Sequence, residues 1–475
     1  MPLRSKILNS AFSHQSKNPM SVSSSGASTV VPRDRPEDDV LFDSKLGVRT
    51  IELNRPTKLN ALNESMALKI VPRLQEWDRS QLANIIILKG AGPKALCAGG
   101  DVAKLAELCR LGAEGEQKAA AYFGLEYQLD HLIATYKKPY IAFMDGITMG
   151  GGVGLSVHAP FRIATERTMF AMPETLIGFF PDVGGSFFLP RLDGQIGTYL
   201  GLTGDRLVGV QTLYAGIATH YIHSSSLPDV EQRLSELTFD DDATDKEKCN
   251  IVNSTIEEFV TGLPDEPILL AGARREAIDR CFGFNKIEDI LAALEAEKTD
   301  WASSTLATLR ARSPTSIRVT LRLMRLGLGF EWTISEAFQR EYSVASRFMS
   351  HPDFVAGVVA LLVDKVGKPK WTPATIEEIT EQDAIDFVTP VPGENRLQLL
   401  ARGEGTDYTQ YPHAGMGLPT EVEVRSVVGA TKLVVRDLVR WFVDGRNGKL
   451  GVEEKVLDVV KRKTKTVEGF VEWVE

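Results

Sequence analysis

Short apolar runs alternate with stretches of helical spacing in the first third of the chain, and this alternation restricts the fold more than any other feature. Val48–Leu53 is a predicted strand that ends before Pro56, because proline cannot continue the ladder. Residues 65–77 follow with apolar side chains at helical spacing. Residues 85–88 and Tyr140–Met144 are continuously apolar, as in strands buried on both faces. Strands that alternate with helices predict an α/β fold of stacked units.

The same patterns divide the rest of the chain. Residues 36–192 hold the alternating strands and helices. Strand signals stop after about residue 192, so residues 193–388 are predicted to be a helical region that completes the same domain. Residues 389–475 begin with a segment rich in Gly, Pro and Tyr, which predicts a linker or extended arm. Apolar spacing then returns and predicts a small accessory element.

The N-terminal segment has the composition of a targeting sequence. The first 33 residues contain four basic side chains and many serines, and no acidic residue precedes Asp34. Mitochondrial transit segments are basic, rich in serine and poor in acid. Residues 1–35 are therefore predicted to be such a segment and are left out of the fold argument. The alternative is an N-terminal tail with no targeting role.

Composition excludes several classes of protein. No stretch approaches the roughly 20 apolar residues that cross a bilayer, which argues against a membrane protein. The net charge of −9 argues against direct binding of nucleic acid. The cysteines have no metal or disulfide spacing and are predicted to be small core residues in a reducing compartment; they are Cys97, Cys109, Cys249 and Cys281.

Two glycine-containing turns carry the first chemical signal. Residues 97–101 (CAGGD) and 149–154 (MGGGVG) each come shortly after a predicted strand. Where side chains are absent, a backbone N–H can approach a substrate oxygen closely. If Gly100 and Gly151 each donate one N–H, they form an oxyanion hole that polarises a thioester carbonyl. Tight turns that only allow close helix packing are the alternative. P-loop and dinucleotide sites are excluded because their further residues are missing.

Two carboxylates follow in an otherwise apolar stretch. Glu174 and Asp182 lie eight residues apart, among aromatic residues that include Phe179 and Phe180. Burial in such surroundings raises the proton affinity of a carboxylate, as a general base near neutral pH requires. The alternatives are structural. Asp182 would cap a helix that opens at Val183, and Glu174 would be a first-turn charge at a helix start.

These motifs resemble the crotonase superfamily, also called the enoyl-CoA hydratase/isomerase superfamily. The residues that carry the resemblance are Asn60-Ala61-Leu62, 97–101, 146–156 and Pro173-Glu174. Within the superfamily, the chain closely resembles the 3-hydroxyisobutyryl-CoA hydrolases over about residues 40–387. The similarity includes residues 171–175, 180–185 and 188–191, with Asp364-Lys365 and Lys370-Trp371.

Two departures separate the chain from the hydratases of this superfamily. Gly154 stands where those enzymes carry a second glutamate, and Asp182 stands where they generally have a small residue. One carboxylate is thus lost and another gained, as in the hydrolases. The resemblance therefore implies thioester hydrolysis rather than addition of water to a double bond.

The resemblance also implies a fold and a set of site residues. The expected fold is a β-β-α spiral core with a helical C-terminal region and a small C-terminal extension. Glu174 and Asp182 are the expected catalytic pair, and Gly100 and Gly151 the expected oxyanion hole. The expected substrate-binding residues are Glu126, Gly151, Glu174 and Asp182, with Glu126 accepting a hydrogen bond from the substrate 3-hydroxyl. A solvated charge on a helix face is the alternative for Glu126.

The implied substrate is an acyl-CoA, with no metal and no cofactor beyond the CoA of the substrate itself. Lys58 and Lys104 are the nearest basic side chains for its phosphates, although each is more often a solvated surface lysine. The expected reaction converts 3-hydroxyisobutyryl-CoA to 3-hydroxyisobutyrate and CoA, in valine breakdown in the mitochondrial matrix. The sequence leaves the oligomeric state open, and a homo-oligomer is compatible with it.

Two other functions remain open at this point. The first is an enoyl-CoA hydratase or isomerase. The second is a structural component of the mitochondrial small ribosomal subunit, since some fungal mitochondrial relatives of this family serve there. Residues 389–475 lie outside the resemblance to the hydrolases and favour an association with the mitochondrial ribosome.

Overall fold

Two mixed β-sheets and a hairpin contain the strands of a computed structural model that describes residues 38–474 apart from 241, 394–395, 401–402 and 404. The predicted transit segment lies outside the described residues. The strands are β1 Val40–Lys45, β2 Val48–Leu53, β3 Ile85–Gly90, β4 Ala95–Cys97, β5 Tyr140–Met144, β6 Ile147–Met149, β7 Phe161–Ala164, β8 Met169–Ala171, β9 Leu207–Val208, β10 His220–Tyr221, β11 Thr464–Val467 and β12 Phe470–Trp473.

The strand order confirms the spiral fold. The larger sheet has the order β1-β2-β3-β5-β7-β10, and the smaller one β4-β6-β8-β9. From β3 to β8, each strand of the large sheet is followed by one of the small sheet, and a helix returns the chain after the first two such pairs. Strands β2, β3, β5, β7 and β10 are parallel, which requires such crossovers. All residues of β5 are buried, which explains its continuous apolar run.

Helices surround the sheets and make up most of the chain after residue 222. They are α1 Glu64–Arg79, α2 Val102–Cys109, α3 Ala113–Ala134, α4 Gly151–Val157, α5 Gly185–Phe188, α6 Ile196–Thr203, α7 Gln211–Tyr214, α8 Leu227–Ser235, α9 Asp245–Glu257, α10 Gly272–Phe282, α11 Ile287–Glu297, α12 Asp300–Ala311, α13 Pro314–Gly327, α14 Ile334–Met349, α15 Pro352–Val358, α16 Glu381–Val388, α17 Glu421–Ala430, α18 Val435–Gly445 and α19 Val452–Lys463. The helix predicted at residues 65–77 is confirmed as α1, which begins where the Asn63 side chain accepts the Met66 N–H.

The prediction that strands end near residue 192 was wrong. Strands β9 and β10 follow it, and each has two residues. Strand β9 extends the small sheet beside β8, and β10 extends the large sheet beside β7. A two-residue strand is too short to show an alternating or continuous pattern, so its pairing is decided by the neighbouring strand and not by its own sequence.

The segment after residue 389 packs onto the core. The Ile334 N–H donates a hydrogen bond to the Tyr408 carbonyl (3.0 Å). The Tyr411 hydroxyl accepts from Arg162 (2.8 Å) and donates to the Ala159 carbonyl (2.5 Å). The expected arm is therefore held against the sheet domain by both main-chain and side-chain bonds.

The C-terminal extension shares an apolar cluster with the core. Buried residues of α17, α18 and α19 contact buried residues around β7 and α7. The members from the extension include Val424, Val428, Leu438, Phe442, Val452, Val456, Val459 and Val460, and those from the core include Ala164, Val210 and Leu213. Because the two sets cover each other, removal of the extension would expose apolar core surface.

We expect Phe442→Ala to destabilise the protein by about 3 to 5 kcal/mol, the usual cost of replacing a buried phenylalanine. Phe442 is 2% exposed within the shared cluster. The adjacent Trp441 is 51% exposed, so Trp441→Ala is the matched control and should cost much less. Chemical denaturation of the full chain measures both. Equal losses for the two variants would contradict this account of the cluster.

The cysteine prediction is confirmed. All four cysteines are buried and unpaired by disulfides. Burial raises the pKa of the Cys97 thiol to about 12, so this cysteine stays protonated at neutral pH and is a core residue. In the part of the chain that the structure describes, no helix is long and apolar enough to cross a membrane. No cluster of His, Cys, Asp and Glu there is arranged to hold a metal ion.

Candidate active site

The two glycine turns meet at one point. Gly100 follows β4, and Gly151 is the first residue of α4. A Cβ atom built on Gly151 would lie 3.5 Å from the Gly100 nitrogen. Leu62 pairs with Gly99 and Asp101 through hydrogen bonds of 2.8 Å on either side of Gly100. Among the described residues, neither the Gly100 N–H nor the Gly151 N–H is used in a turn or cap hydrogen bond. The two amides can therefore serve one oxygen together.

Glu126 lies directly against this pair of amides. It is on α3 and is 2% exposed, so the alternative of a solvated helix-face charge is wrong. A Cβ atom on Gly151 would overlap with Glu126 Oε1. Burial raises the pKa of Glu126 well above its ordinary value, and the charge of Asp182 raises it further. Within the described chain Glu126 Oε1 has no hydrogen-bond partner, so it can pair with a substrate hydroxyl.

Glu174 lies on the other side of the glycine turn. It opens a 3₁₀ helix, Glu174–Ile177, and so does occupy a first-turn position. It is nevertheless buried, and a Cβ atom built on Gly150 would lie 3.1 Å from Glu174 Oε1. Burial raises the pKa of Glu174 well above its ordinary value, and the charges of Asp182 and then Glu126 add to the effect. The Glu174 carboxyl group therefore combines a raised proton affinity with a position against the glycine turn.

Asp182 is a third buried carboxyl group, and its charge acts on both Glu126 and Glu174. Its Oδ2 accepts a hydrogen bond from the Tyr127 hydroxyl (2.7 Å). Burial raises the pKa of Asp182 to about 7, although the bond from Tyr127 acts in the opposite direction. The helix-capping alternative was wrong, because α5 begins only at Gly185 and no side chain caps it.

Two further buried carboxyl groups were missed by the sequence analysis. Asp130 lies one helical turn after Glu126 on α3, and Glu341 lies on α14. The signal that could have found them is a carboxylate on the apolar face of a helix. Glu341 comes three residues after the buried Phe338, and Asp130 comes three after the buried Tyr127.

Asp130 explains the departure at Gly154. A Cβ atom on Gly154 would overlap with Asp130 Oδ2 and would lie 2.7 Å from Val183 Cβ. Any side chain at position 154 would therefore displace a buried carboxyl group. The chain consequently presents no acid from this position of α4, and its acidic groups come from α3 and from the segment that contains Glu174 and Asp182.

The carboxyl groups of this cluster raise one another's proton affinity. Its members are Glu126, Asp130, Glu174, Asp182 and Glu341, and all are buried. For each, burial is the largest cause of the raised pKa, and an acidic neighbour adds to it for all but Asp182. Each negative charge in such a site disfavours the ionisation of its acidic neighbours. The raised pKa values bring Asp182, at about 7, and Glu341, at about 8, into the range in which a carboxyl group exchanges protons near neutral pH.

We expect Asp130→Asn to stabilise the protein increasingly as pH rises above about 4. The pKa of Asp130 in the folded chain is raised well above its ordinary value of 3.8, by burial and then by Glu126. The folded wild type therefore holds a proton that the unfolded chain releases, and its stability falls with rising pH by up to about 1.4 kcal/mol per unit for this group. Asparagine has no such proton.

The measurement is the melting temperature of wild type and variant between pH 4 and pH 9. The two curves should be close at the acidic end and separate toward the alkaline end. Asp437→Asn, on the exposed face of α18, is the control and should follow wild type. A constant difference at every pH would show that Asp130 is already ionised in the folded chain.

A cavity of about 540 Å³ opens beside Gly100. Its wall includes Tyr122, whose hydroxyl would lie 3.2 Å from a Cβ atom on Gly100. Lys104 also lines it, and its ammonium group pairs with Glu107 (3.1 Å) at the surface. Lys58 ends a 3₁₀ helix, Pro56–Lys58, and does not line this cavity. Of the two lysines considered for CoA, Lys104 therefore lines this cavity and Lys58 does not.

Comparison with known proteins places this site in context. The sequence model of the enoyl-CoA hydratase/isomerase family matches residues 48–388. Small ribosomal subunit protein mS47 of Neurospora crassa is 52% identical to the chain, over 100% of this chain and 94% of its own length. The mitochondrial 3-hydroxyisobutyryl-CoA hydrolase of Gallus gallus is 43% identical, over 76% of this chain and 91% of its own length.

Solved structures agree with the observed fold. A crystal structure of a carnitinyl-CoA dehydratase from Mycobacterium thermoresistibile superimposes with a TM-score of 0.67 at 33% sequence identity. The superposition covers 78% of this chain and 99% of that chain. The remainder of the chain therefore lies outside the fold that the two proteins share.

Proposed function

The chain belongs to the enoyl-CoA hydratase/isomerase family, whose members include the crotonases, and we propose that it hydrolyses the thioester of 3-hydroxyisobutyryl-CoA. CoA-thioester chemistry follows from the family. The hydrolase assignment is supported above all by one observation. Glu174 is buried against Gly150 of the glycine turn, the charge of the buried Asp182 acts on it, and Asp130 fills the space next to Gly154.

The reaction consumes one water and releases an acid and CoA. The N–H groups of Gly100 and Gly151 hold the thioester oxygen and stabilise the negative charge that forms on it. Glu174 takes a proton from water, whose oxygen bonds to the acyl carbon. The carbon–sulfur bond then breaks, and the CoA thiolate leaves and receives a proton. Asp182 orients the water or manages its proton, since its pKa of about 7 suits proton exchange near neutral pH.

A covalent route is compatible with the same arrangement. Glu174 would then attack the acyl carbon, the carbon–sulfur bond would break, and the CoA thiolate would leave and take up a proton, which gives a mixed anhydride. Water would cleave the anhydride in a second step, releasing the acid and restoring the Glu174 carboxyl group. Single turnover in ¹⁸O-labelled water separates the routes. Label in the Glu174 carboxyl group supports the anhydride, and an unlabelled carboxyl group supports the general-base route.

Glu126 is the residue that would select among acyl groups. Its Oε1 faces the oxyanion hole, is buried, and has no hydrogen-bond partner in the described part of the chain. A buried polar atom left unpaired costs free energy, and a hydroxyl on the acyl chain removes that cost. We therefore propose a preference for short acyl groups that carry a 3-hydroxyl over acyl groups that lack one.

Thiol release from a small panel of acyl-CoAs tests the proposal. We expect release from 3-hydroxyisobutyryl-CoA and a lower kcat/KM for isobutyryl-CoA, which lacks the hydroxyl. Crotonyl-CoA is the discriminating substrate for the alternative enzyme class. Hydration of crotonyl-CoA without release of CoA would identify a hydratase and overturn the hydrolase proposal.

A second function is favoured by the extent of one comparison. The mS47 relative matches the whole chain, including residues 389–475, whereas the Gallus gallus hydrolase covers 76% of it. We propose that the chain also associates with the small ribosomal subunit of mitochondria through this C-terminal extension. The buried carboxyl cluster lies outside the extension, so the two functions can coexist.

Co-sedimentation with small subunits tests this association. Deletion of the extension would confound the test, because it exposes core surface. Charge reversal of Arg436 and Arg440, which project from α18 with side chains 88% and 78% exposed, leaves the shared cluster intact. Loss of co-sedimentation with unchanged thioesterase activity supports the proposal. The control is reversal of Arg73, on the surface of α1.

The chain is mitochondrial, as its relatives and its N-terminal composition indicate. The name of the Gallus gallus relative gives that location, and residues 1–35 have the composition of a transit segment. We propose that the enzyme needs no cofactor, because the residues around the hole supply an acid, a base and the oxyanion donors themselves.

A further inference from the structure

Val183, the residue that follows Asp182, has an unusual backbone conformation. Its φ angle is +52°, in the left-handed region that a β-branched residue rarely adopts. Val183 is also fully buried. Such a conformation persists only where the surroundings determine it, and it sets the direction in which the preceding side chain leaves the chain.

One carboxyl group holds the segment just after Val183. Glu341 Oε2 accepts the N–H of Gly184 (2.7 Å). Glu341 Oε1 accepts the N–H of Ser186 (2.8 Å) and its hydroxyl (2.5 Å). Glu341 lies on α14, more than 150 residues later in the chain. Both carboxyl oxygens are thus used to fix a single turn.

A histidine holds the same segment from the other side. His158, at the end of α4, contacts the Val183 carbonyl through Nε2 (2.8 Å). A carbonyl oxygen can only accept, so His158 Nε2 carries the proton and donates it. Burial lowers the pKa of His158 to about 4, which keeps the ring neutral at physiological pH. Gly184 packs against this ring, and a Cβ atom there would lie 2.5 Å from it.

The burial of the Glu341 carboxyl group is costly for the stability of the fold and so needs an explanation. It is fully buried, and burial, followed by the charge of the acid Asp182, raises its pKa to about 8. Burying a carboxylate without a cation is costly unless hydrogen bonds compensate it. The Glu341 carboxyl group accepts its hydrogen bonds from Gly184 and Ser186, in the turn that follows Asp182. The side chain of Asp182 is held by the Tyr127 hydroxyl.

We propose that Glu341 is a positioning residue for thioester hydrolysis: with His158 it fixes the strained Val183 turn and thereby aims Asp182 at the oxyanion hole. The inference rests on the proposed function for its kinetic consequence, while the structural part stands separately. Glu341 itself need not contact the substrate. Groups that face it are Asp182 and Tyr127 from the site, Asp130 from α3, and Ser186 from the turn it holds.

Glu341→Gln tests the proposal with the smallest change in shape. An amide offers one acceptor oxygen in place of two, so its NH₂ group faces a main-chain N–H and one clamp bond is lost. We expect kcat for the acyl-CoA to fall about 10- to 100-fold, as for a misplaced catalytic group, with KM nearly unchanged. Glu336→Gln, on the same helix but in surface ion pairs, is the matched control and should retain wild-type kcat.

A crystal structure of Glu341→Gln gives a readout that does not depend on activity. We expect φ of Val183 to leave the positive region and the Asp182 carboxyl group to move. Unchanged kcat in the folded variant, or an unchanged turn, would overturn the proposal. If wild type releases no thiol from any acyl-CoA, the proposed function fails, and the crystal structure still decides whether Glu341 sets the turn.

Ser186→Ala keeps the proposal testable if the glutamine variant does not fold. It removes the hydroxyl bond to Glu341 and leaves both main-chain bonds. We expect a smaller fall in kcat than for Glu341→Gln, again with little change in KM. A folded Ser186→Ala variant with wild-type kcat would count against the clamp.

Discussion

Glu174→Gln should lower kcat for thioester hydrolysis by about 10² to 10⁴-fold, the usual contribution of a general base. The reason is chemical rather than steric, since the amide has nearly the same shape as the carboxyl group but cannot accept a proton. Glu174 Oε1 lies against Gly150, at the turn that also supplies the Gly151 amide. Substrate binding should change little, because the two amides of the oxyanion hole are untouched.

The control for this variant is Glu76→Gln. Glu76 is 61% exposed on α1, where it pairs with Arg73 (2.9 Å), and its loss should leave kcat at the wild-type level. Asp182→Asn should also lower kcat, and by less than Glu174→Gln if Asp182 orients water rather than abstracts its proton. Wild-type turnover by folded Glu174→Gln would exclude both the general-base and the anhydride route.

The central strand β5 could be predicted from the sequence because both of its faces are buried. The continuous apolar run at Tyr140–Met144 matches β5 in both bounds. Strands β9 and β10 were missed for the complementary reason. With two residues each, they have no period of their own and form only because a neighbouring strand offers unpaired main-chain groups.

Some residues of the candidate site could likewise be predicted from the local sequence, and others depend on contacts between distant parts of the chain. Glu174 and Asp182 were found because they interrupt an apolar stretch, and the glycine turns because they follow strands. Asp130 and Glu341 were missed, although both interrupt the apolar face of a helix. What no sequence pattern could provide is the packing of α14 against α3, which brings residues some 200 positions apart into one carboxyl cluster.

The cluster also shows why acidic groups without cations can be tolerated in a core. Burial raises the pKa of Glu126, Asp130 and Glu341, which disfavours their charged forms. The free energy lost in this way is a cost to stability that a purely structural protein would have no reason to bear. The buried cluster therefore supports the proposed thioesterase activity, whether or not the C-terminal extension binds a ribosomal subunit.

Gly151→Ala should lower kcat/KM by about 10² to 10³-fold, comparable to the loss of one oxyanion donor. The new methyl group would overlap with Glu126 Oε1 and lie 3.5 Å from the Gly100 nitrogen, so it would occupy the place of the substrate oxygen.

Two further variants distinguish occupation of the oxyanion hole by the new methyl group from the other effects of the substitution. Gly429→Ala in α17, where a Cβ atom meets nothing within 4 Å, should keep full activity and shows that alanine in a helix is harmless in itself. Adding Glu126→Ala to Gly151→Ala removes the overlap with the carboxyl group but leaves the methyl group between the two amides. This double variant should stay as slow as Gly151→Ala. Recovery of activity would mean that the amides of Gly100 and Gly151 do not hold the acyl oxygen, and that displacement of Glu126 was the whole effect.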